Sequence, residues 1–155
     1  QTKWIEMKSL TIGQAVDLYN IIVSFNEQSV QEKIDLPGNI SYALFRNTKK
    51  LESVFKFFTD KQKELIESNA LKNKKGEIQY EDEAKGIVKL RKDNTLNKEF
   101  AEYVSLESGV DLYTINLDVE DLAKKINGSH IALNRLWFIL DHVIEEAPVK
   151  VLESV

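Results

Sequence analysis

The feature that most constrains the fold is a stretch from Ile40 to Asn69 that contains neither proline nor glycine. Four apolar residues recur in it at intervals of seven: Leu44, Leu51, Phe58 and Leu65. A helix brings residues with this spacing to one side, so the stretch is predicted to form one continuous amphipathic helix. At ~1.5 Å per residue this helix is about 45 Å long, which exceeds the width of a small domain's core. It must therefore pack against several elements or extend beyond the body as half of a helical hairpin.

Length and composition indicate one globular domain. The chain has 155 residues, of which 43% are hydrophobic, and this is enough for a substantial core. We expect a single domain over residues 1–155 with flanking tails at 1–9 and 147–155, and Met7 is a candidate for the original first residue. The chain has no cysteine, which excludes a disulfide framework, a thiolate-bound metal centre and a cysteine nucleophile.

The remaining segments alternate between helical and extended patterns. Thr11 with Gln14 three residues later forms a capping box, so a helix is expected to begin at Ile12. The expected elements are helix 12–26, a loop over 27–39 with a turn at Pro37-Gly38, helix 40–69, a hairpin within 72–92, helix 93–107, strand 110–119 with a bulge near Leu112, a short helix over 119–126, and a final helix over 129–146 capped by Ser129.

These elements predict a single, mostly helical α+β domain. The long helix is expected to pack antiparallel to helix 93–107, to which the hairpin region connects it. Helices 12–26 and 129–146 are expected to complete the core. Strand 110–119 is expected to pair with the hairpin, because a two-stranded hairpin by itself is marginally stable.

Charge is distributed unevenly along the chain. Residues 1–75 hold 12 Lys/Arg and 9 Asp/Glu, a net charge of +3, whereas residues 76–155 hold 9 and 16, a net charge of −7. The total of −4 disfavours a protein that binds duplex nucleic acid, which needs cations to displace counterions from the phosphates. A local basic patch on the first half is compatible with these numbers.

No segment has the composition of a membrane span. The longest uncharged apolar run, Leu136–Leu140, is far shorter than the ~20 residues that cross a bilayer. Lys3, Glu6 and Lys8 interrupt the apolar residues near the N-terminus, so no signal-peptide pattern is present there. We therefore expect a soluble intracellular protein that does not act at a membrane.

Catalytic signals are sparse. His130 and His142 fall on one predicted helix about 18 Å apart, too far to share a metal ion. The sequence has no glycine-rich phosphate loop and no nucleophile elbow, and the acidic run Glu81–Glu83 is typical of a solvated edge. We expect no catalytic residue, no metal and no cofactor, and hence a protein that is not an enzyme.

The best candidate for binding lies near the start of the long helix. Tyr42, Arg46, Lys49 and Lys50 are spaced i, i+4, i+7 and i+8, so they share one helical face. A cationic face with an aromatic beside it can hold a phosphate, a nucleotide, single-stranded nucleic acid or an acidic protein patch. The alternative is a solvated face opposite the apolar seam of the same helix.

The order of several segments resembles a family of small tailed-phage and prophage proteins. The similar segments are Leu10–Tyr19, Ser41–Glu52, Leu96–Tyr103 and Val110–Leu122, the last leading into an acidic-ended helix, and together they touch most of residues 7–146. The resemblance implies a phage gene product that acts in a bacterial cytoplasm or in a virion. It implies nothing about catalysis.

Three functional hypotheses follow. The first is a non-catalytic phage-encoded binding protein that occludes or sequesters a host or phage protein, such as a target in host defence or host takeover. The second is a virion structural or assembly component, a homo-oligomer that shares the seam of residues 44, 51, 58 and 65 between chains. The third is a small nucleotide-ligand binder that uses Tyr42, Arg46, Lys49 and Lys50.

Overall fold

A computed structural model describes residues 9–145 of the chain. Within that range it forms five helices and one two-stranded antiparallel sheet. The elements are α1 (Ile12–Glu32), α2 (Gly38–Asn69), β1 (Tyr80–Asp82), β2 (Ile87–Val88), α3 (Leu96–Val104), α4 (Val119–Lys125) and α5 (His130–Val143). The predicted mostly helical α+β class is confirmed, as is the single long helix.

The first helix is longer than its pattern predicts. The capping box at Thr11 and Gln14 is present, but α1 continues to Glu32 rather than ending at residue 26. Residues 27–32 are polar apart from Val30, so the amphipathic pattern fades there, although none of them breaks a helix. The helix ends where Lys33 takes a left-handed conformation with φ of 54°.

The core lies where α1, the first half of α2 and α5 meet. α1 packs antiparallel to α2, and α5 packs on α1. The fully buried large side chains of this core are Leu18, Ile22, Phe25, Ile40, Leu51, Leu136, Ile139, Leu140 and Val143. In the seam of α2, Leu44, Leu51 and Leu65 are buried within the chain. The seam therefore does not offer a free surface for a second copy.

The second half of α2 carries α3. The backbone N–H of Thr95, just before α3, donates to the side chain of Asn69, and the ring of Phe100 lies 5.7 Å from that of Phe58. α3 thus runs back along α2, which confirms the predicted antiparallel pair. It ends earlier than predicted because the carbonyl of Leu106 turns to accept the N–H of Ile12 at the start of α1.

Beyond the end of α2, residues 70–92 form a small tip that contains the predicted hairpin. Tyr80 pairs with Val88, and Asp82 pairs with Ile87. Three backbone bonds close a ring between short segments: Leu71 donates to Lys89 (2.7 Å), Lys89 donates to Gln79 (2.9 Å), and Gln79 donates to Leu71 (2.9 Å). No residue of this tip belongs to the core cluster of the described chain, so its own hydrogen bonds hold it together.

The predicted strand 110–119 and its pairing with the hairpin are wrong. This segment instead crosses the first half of α2, and only Ile115 forms a bridge, parallel to Ile144 after α5. The reason is distance along α2. The segment is bound at Asn47, whereas the hairpin begins after Asn69, about 33 Å further along the helix.

The last two helices begin where they are predicted to begin, and each start has a side-chain cap. Asp118 accepts a hydrogen bond from the N–H of Asp121, and Ser129 accepts one from the N–H of Ala132. The carboxylate of Glu32, at the end of α1, also binds the backbone N–H (2.7 Å) and the hydroxyl (2.8 Å) of Ser129. These hydrogen bonds, the backbone one most of all, lower the pKa of Glu32.

The described residues include only part of the predicted last helix and almost none of the predicted tails. α5 ends at Val143, and residue 146 lies outside the described residues. The expected tails 1–9 and 147–155 also lie outside them, apart from Ser9, whose hydroxyl bonds the carboxylate of Glu107.

Candidate binding surface on the second helix

The predicted binding residues occupy the side of α2 that faces away from the core. Tyr42, Arg46 and Lys49 are exposed, and Lys50 is half-buried at the edge of the same side. The helix puts them there because the opposite side carries the buried Leu44 and is committed to the core.

Arg46 is held between two tyrosines. Its Nη1 donates a hydrogen bond of 2.9 Å to the Tyr42 hydroxyl oxygen. Its Cζ lies 5.7 Å from the centre of the Tyr42 ring and 5.1 Å from the centre of the Tyr113 ring. The two rings meet edge to face, 5.5 Å apart at 86°. We call Tyr42, Arg46 and Tyr113 the arginine clamp, since cation–π attraction and a hydrogen bond together fix the guanidinium.

Tyr113 is the member of the clamp that sequence reasoning missed. Its backbone is bound by the buried Asn47, whose Nδ2 donates to the Tyr113 carbonyl (2.9 Å) and whose Oδ1 accepts from the Tyr113 N–H (2.7 Å). Asn47 is 0% exposed. An asparagine between Leu44 and Leu51 in an apolar stripe is a signal that something polar docks there, because buried amides are nearly always hydrogen-bonded. The signal does not say which segment docks.

The four predicted residues do not converge on one point. Lys50 Nζ donates to the Asp111 carbonyl at 2.6 Å, so it helps to hold the crossing segment. Lys49 Nζ lies 5.8 Å from the ring centre of Phe45. The ion pairs of the described residues all join other side chains, so Arg46, Lys49 and Lys50 have no carboxylate within 4 Å in residues 9–145.

Exposed aromatic side chains extend this surface along the helix. Phe45 is 58% exposed and Phe57 is 71% exposed. Both lie on the same side as Lys56, within a sector of about 120° of the helix circumference that also contains Tyr42 and Arg46. We define the outward face of α2 as six residues: Tyr42, Phe45, Arg46, Lys49, Lys56 and Phe57.

The exposure of Phe57 follows from its neighbours. Phe55 stacks on Tyr19 with ring centres 4.6 Å apart, and Phe58 packs near Phe100. Successive residues on a helix are about 100° apart, so Phe57 cannot share the inward direction of both. Three phenylalanines at 55, 57 and 58 are the sequence signal for an exposed ring, because helix geometry cannot turn all three towards the core.

His142 and a shallow cavity of the described residues are not part of the outward face. His142 Nδ1 is within hydrogen-bond distance of the Phe138 carbonyl (3.1 Å), and the two rings lie 5.0 Å apart on α5. Among residues 9–145, no group of three or more His, Asp or Glu side chains is placed to hold a metal ion. A shallow cavity of about 230 Å³ lies between the loop at Asp35 and the end of α4 at Lys125, and the outward face contributes nothing to it.

No family model, no curated protein and no solved structure matches this chain. Across the helices that the structure describes, none combines the length and the apolar composition needed to cross a membrane.

Proposed function

We propose that this is a non-catalytic, phage-encoded binding protein that covers or sequesters a host or phage protein in the bacterial cytoplasm. Its docking surface is the outward face of α2. The observation that carries the proposal is the exposure of Phe45 (58%) and Phe57 (71%) beside cations that have no acidic partner in the described chain. Aromatic residues and arginine are the side chains that supply most binding energy at protein interfaces.

The shape of this surface favours a protein groove as its partner site. Tyr42, Phe45, Arg46 and Lys49 are spaced i, i+3, i+4 and i+7, which is the anchor pattern of a helix that lies in an apolar groove. Single-stranded nucleic acid is held in a positively charged groove of its protein, whereas α2 presents a convex face on a chain of net charge −4.

The residues also specify the chemistry of the partner groove. Phe45 and Phe57 are twelve residues apart, so their anchor pockets would lie about 18 Å from each other. Arg46, Lys49 and Lys56 flank the two rings, so the rim of the groove would be acidic. Such charge complementarity raises the association rate and selects against basic partners.

The structure favours neither alternative function. A virion component that shares the apolar seam would need Leu44, Leu51 and Leu65, which are buried inside each chain. A nucleotide binder would need Lys49 and Lys50 to approach one phosphate, but they lie over Phe45 and on the Asp111 carbonyl.

The test is affinity capture with matched variants. Tagged wild-type protein, Phe57→Ser and Val30→Ser are incubated with lysate of bacteria that carry a tailed phage, and bound proteins are quantified by mass spectrometry. Val30 is 78% exposed on α1. Val30→Ser is the control, because it also replaces an exposed apolar side chain with serine but lies outside the outward face of α2. Loss of an interface anchor is expected to reduce recovery of one discrete protein about tenfold or more for Phe57→Ser only.

Two results would contradict the proposal. One is a captured protein that is recovered equally with all three baits, because its contact would then lie elsewhere. The other is the absence of any protein enriched over a bait-free control. Circular dichroism of each variant confirms that the comparison is between folded proteins.

A further inference from the structure

We infer that the arginine clamp is a receptor for a single carboxylate, supplied by an acidic side chain of the partner. The inference rests on the proposed function and names the group that the partner presents. Tyr42, Arg46 and Tyr113 form the site where α2 meets the crossing segment, and no local sequence pattern joins Tyr113 to the other two.

The guanidinium has unused donors in a defined geometry. An arginine side chain carries five N–H groups. The structure shows one hydrogen bond for Arg46 within residues 9–145, from Nη1 to the Tyr42 hydroxyl, and no ion pair. The edge formed by Nε and Nη2 thus keeps two parallel N–H groups, which match the two oxygens of a carboxylate. The Tyr42 hydroxyl accepts from Arg46 and keeps its own proton to donate.

The clamp also reduces the cost of binding. A free arginine on a helix surface samples many rotamers, and ordering it on binding opposes association. Two rings at 5.7 and 5.1 Å already restrict Arg46 before any partner arrives. The buried Asn47 in turn fixes the backbone of Tyr113, so the second ring is positioned by the core rather than by a loose loop.

The surroundings favour a carboxylate over a phosphate. A phosphate dianion has three acceptor oxygens and is usually held by several cations or by backbone N–H groups. Here Lys50 Nζ is bound to the Asp111 carbonyl, and Lys49 Nζ lies near Phe45. Only one planar fork remains, which is complementary to a planar monoanion.

Nuclear magnetic resonance of the full-length ¹⁵N-labelled chain can test the site directly. The chain has three arginines, Arg46, Arg91 and Arg135, and each Nε–H gives its own signal. The probes are a short glutamate-rich peptide blocked at both ends, its glutamine counterpart, inorganic phosphate and a thymidine oligonucleotide. The glutamate peptide is expected to shift the Arg46 signal saturably and to bind about tenfold more tightly than the glutamine peptide. Arg91 and Arg135 serve as internal controls and should not move.

Variants separate the fork from simple charge. Arg46→Lys keeps the charge and loses the planar fork, and Tyr113→Leu removes one ring of the clamp; each is expected to weaken the glutamate peptide about tenfold. Lys98→Gln removes one exposed charge from α3, outside the outward face and the clamp, and less than about a threefold change is expected. If Tyr113→Leu lowers the Tm strongly, Tyr42→Phe, which removes only the hydroxyl, replaces it.

Three outcomes would overturn the inference: an unmoved Arg46 signal, equal binding by Arg46→Lys, or tighter binding of phosphate or the oligonucleotide than of the glutamate peptide. Because these assays use no partner protein, the two proposals fail separately. Peptide binding with unchanged partner capture by Phe57→Ser contradicts the docking face alone. The reverse pattern contradicts the clamp alone.

Discussion

The molecule has a core half, where α1, the first half of α2 and α5 meet, and a distal half, made of the second half of α2, α3 and the tip. An asparagine of α2 is buried in each half: Asn47 in the core half and Asn69 in the distal half. Both are almost inaccessible to solvent, at 0% and 1% exposure. Asn47 binds both backbone groups of Tyr113, a residue 66 positions away. Asn69 divides its bonds: its Oδ1 accepts from the Thr95 N–H, while its Nδ2 donates to the Leu65 carbonyl of its own helix.

The surroundings of the two asparagines differ more than the residues do. Asn47 lies among Ala43, Leu44 and Leu51 in the main core. Asn69 lies at the helix end, where only Leu65 and Ala70 are buried nearby and the tip beyond makes no contribution to the core. The Asn47 amide therefore completes a packed core. The Asn69 amide instead makes some of the few hydrogen bonds that fix where the chain leaves α2.

The largest effect on stability is expected at the core half. Asn47→Ala leaves the N–H and carbonyl of Tyr113 without partners beside an apolar core, which should lower the free energy of unfolding by about 2–4 kcal/mol. Urea unfolding measures it. Asn20→Ala, an exposed asparagine on α1, is the control and should change stability by less than about 0.5 kcal/mol. A loss below about 1 kcal/mol for Asn47→Ala would mean that water replaces the amide there.

A smaller and more local effect is expected at the distal half. Asn69→Ala removes the acceptor for the Thr95 N–H and should cost about 1–2 kcal/mol. Hydrogen exchange should accelerate at Thr95 and in the tip, while amides of α1 and α5 keep their protection. If Asn69→Ala proves more destabilising than Asn47→Ala, the ranking of the two halves is reversed and the tip is integral to cooperative folding.

Acid should weaken the core half through Glu32. The hydrogen bonds from Ser129 lower the pKa of Glu32 in the folded protein below its unfolded value. These hydrogen bonds stabilise the folded protein fully at pH values above the ordinary glutamate pKa of about 4.3. Their contribution is lost as the pH falls through the lower pKa of Glu32 in the folded protein. Glu32→Gln should flatten that part of the stability profile, and Glu27→Gln on the same helix should not. Identical acid profiles for both variants would remove Glu32 from the explanation.

The smallest effect on stability is expected on the outward face, which points away from the packed side of α2. Phe57 is 71% exposed, so Phe57→Ser should change the free energy of unfolding by no more than about 0.5 kcal/mol. Thermal unfolding of the variant beside wild type measures this. A clear loss of stability would show that Phe57 packs on the chain itself and would weaken its assignment as a partner anchor.

Local patterns in the sequence were sufficient for most of the helices. The absence of helix breakers between residues 40 and 69 predicts α2, and the capping residues Thr11 and Ser129 mark the starts of α1 and α5. Helix propensity and capping depend on the local sequence, so no knowledge of the rest of the fold is needed. The cationic side of α2 follows in the same way, because helical spacing alone places Arg46 and Lys49 opposite Leu44.

Long-range packing decided the partners of the crossing segment and the make-up of the candidate site. The alternation of residues 110–119 predicts an extended chain but carries no information on what it pairs with, and the hairpin is about 33 Å away along α2. Asn47 selects the backbone of Tyr113 instead, and this brings the second ring to Arg46. Contacts between residues far apart in the chain depend on how whole helices pack. The alternation of apolar and polar residues in a short segment contains no information about that packing.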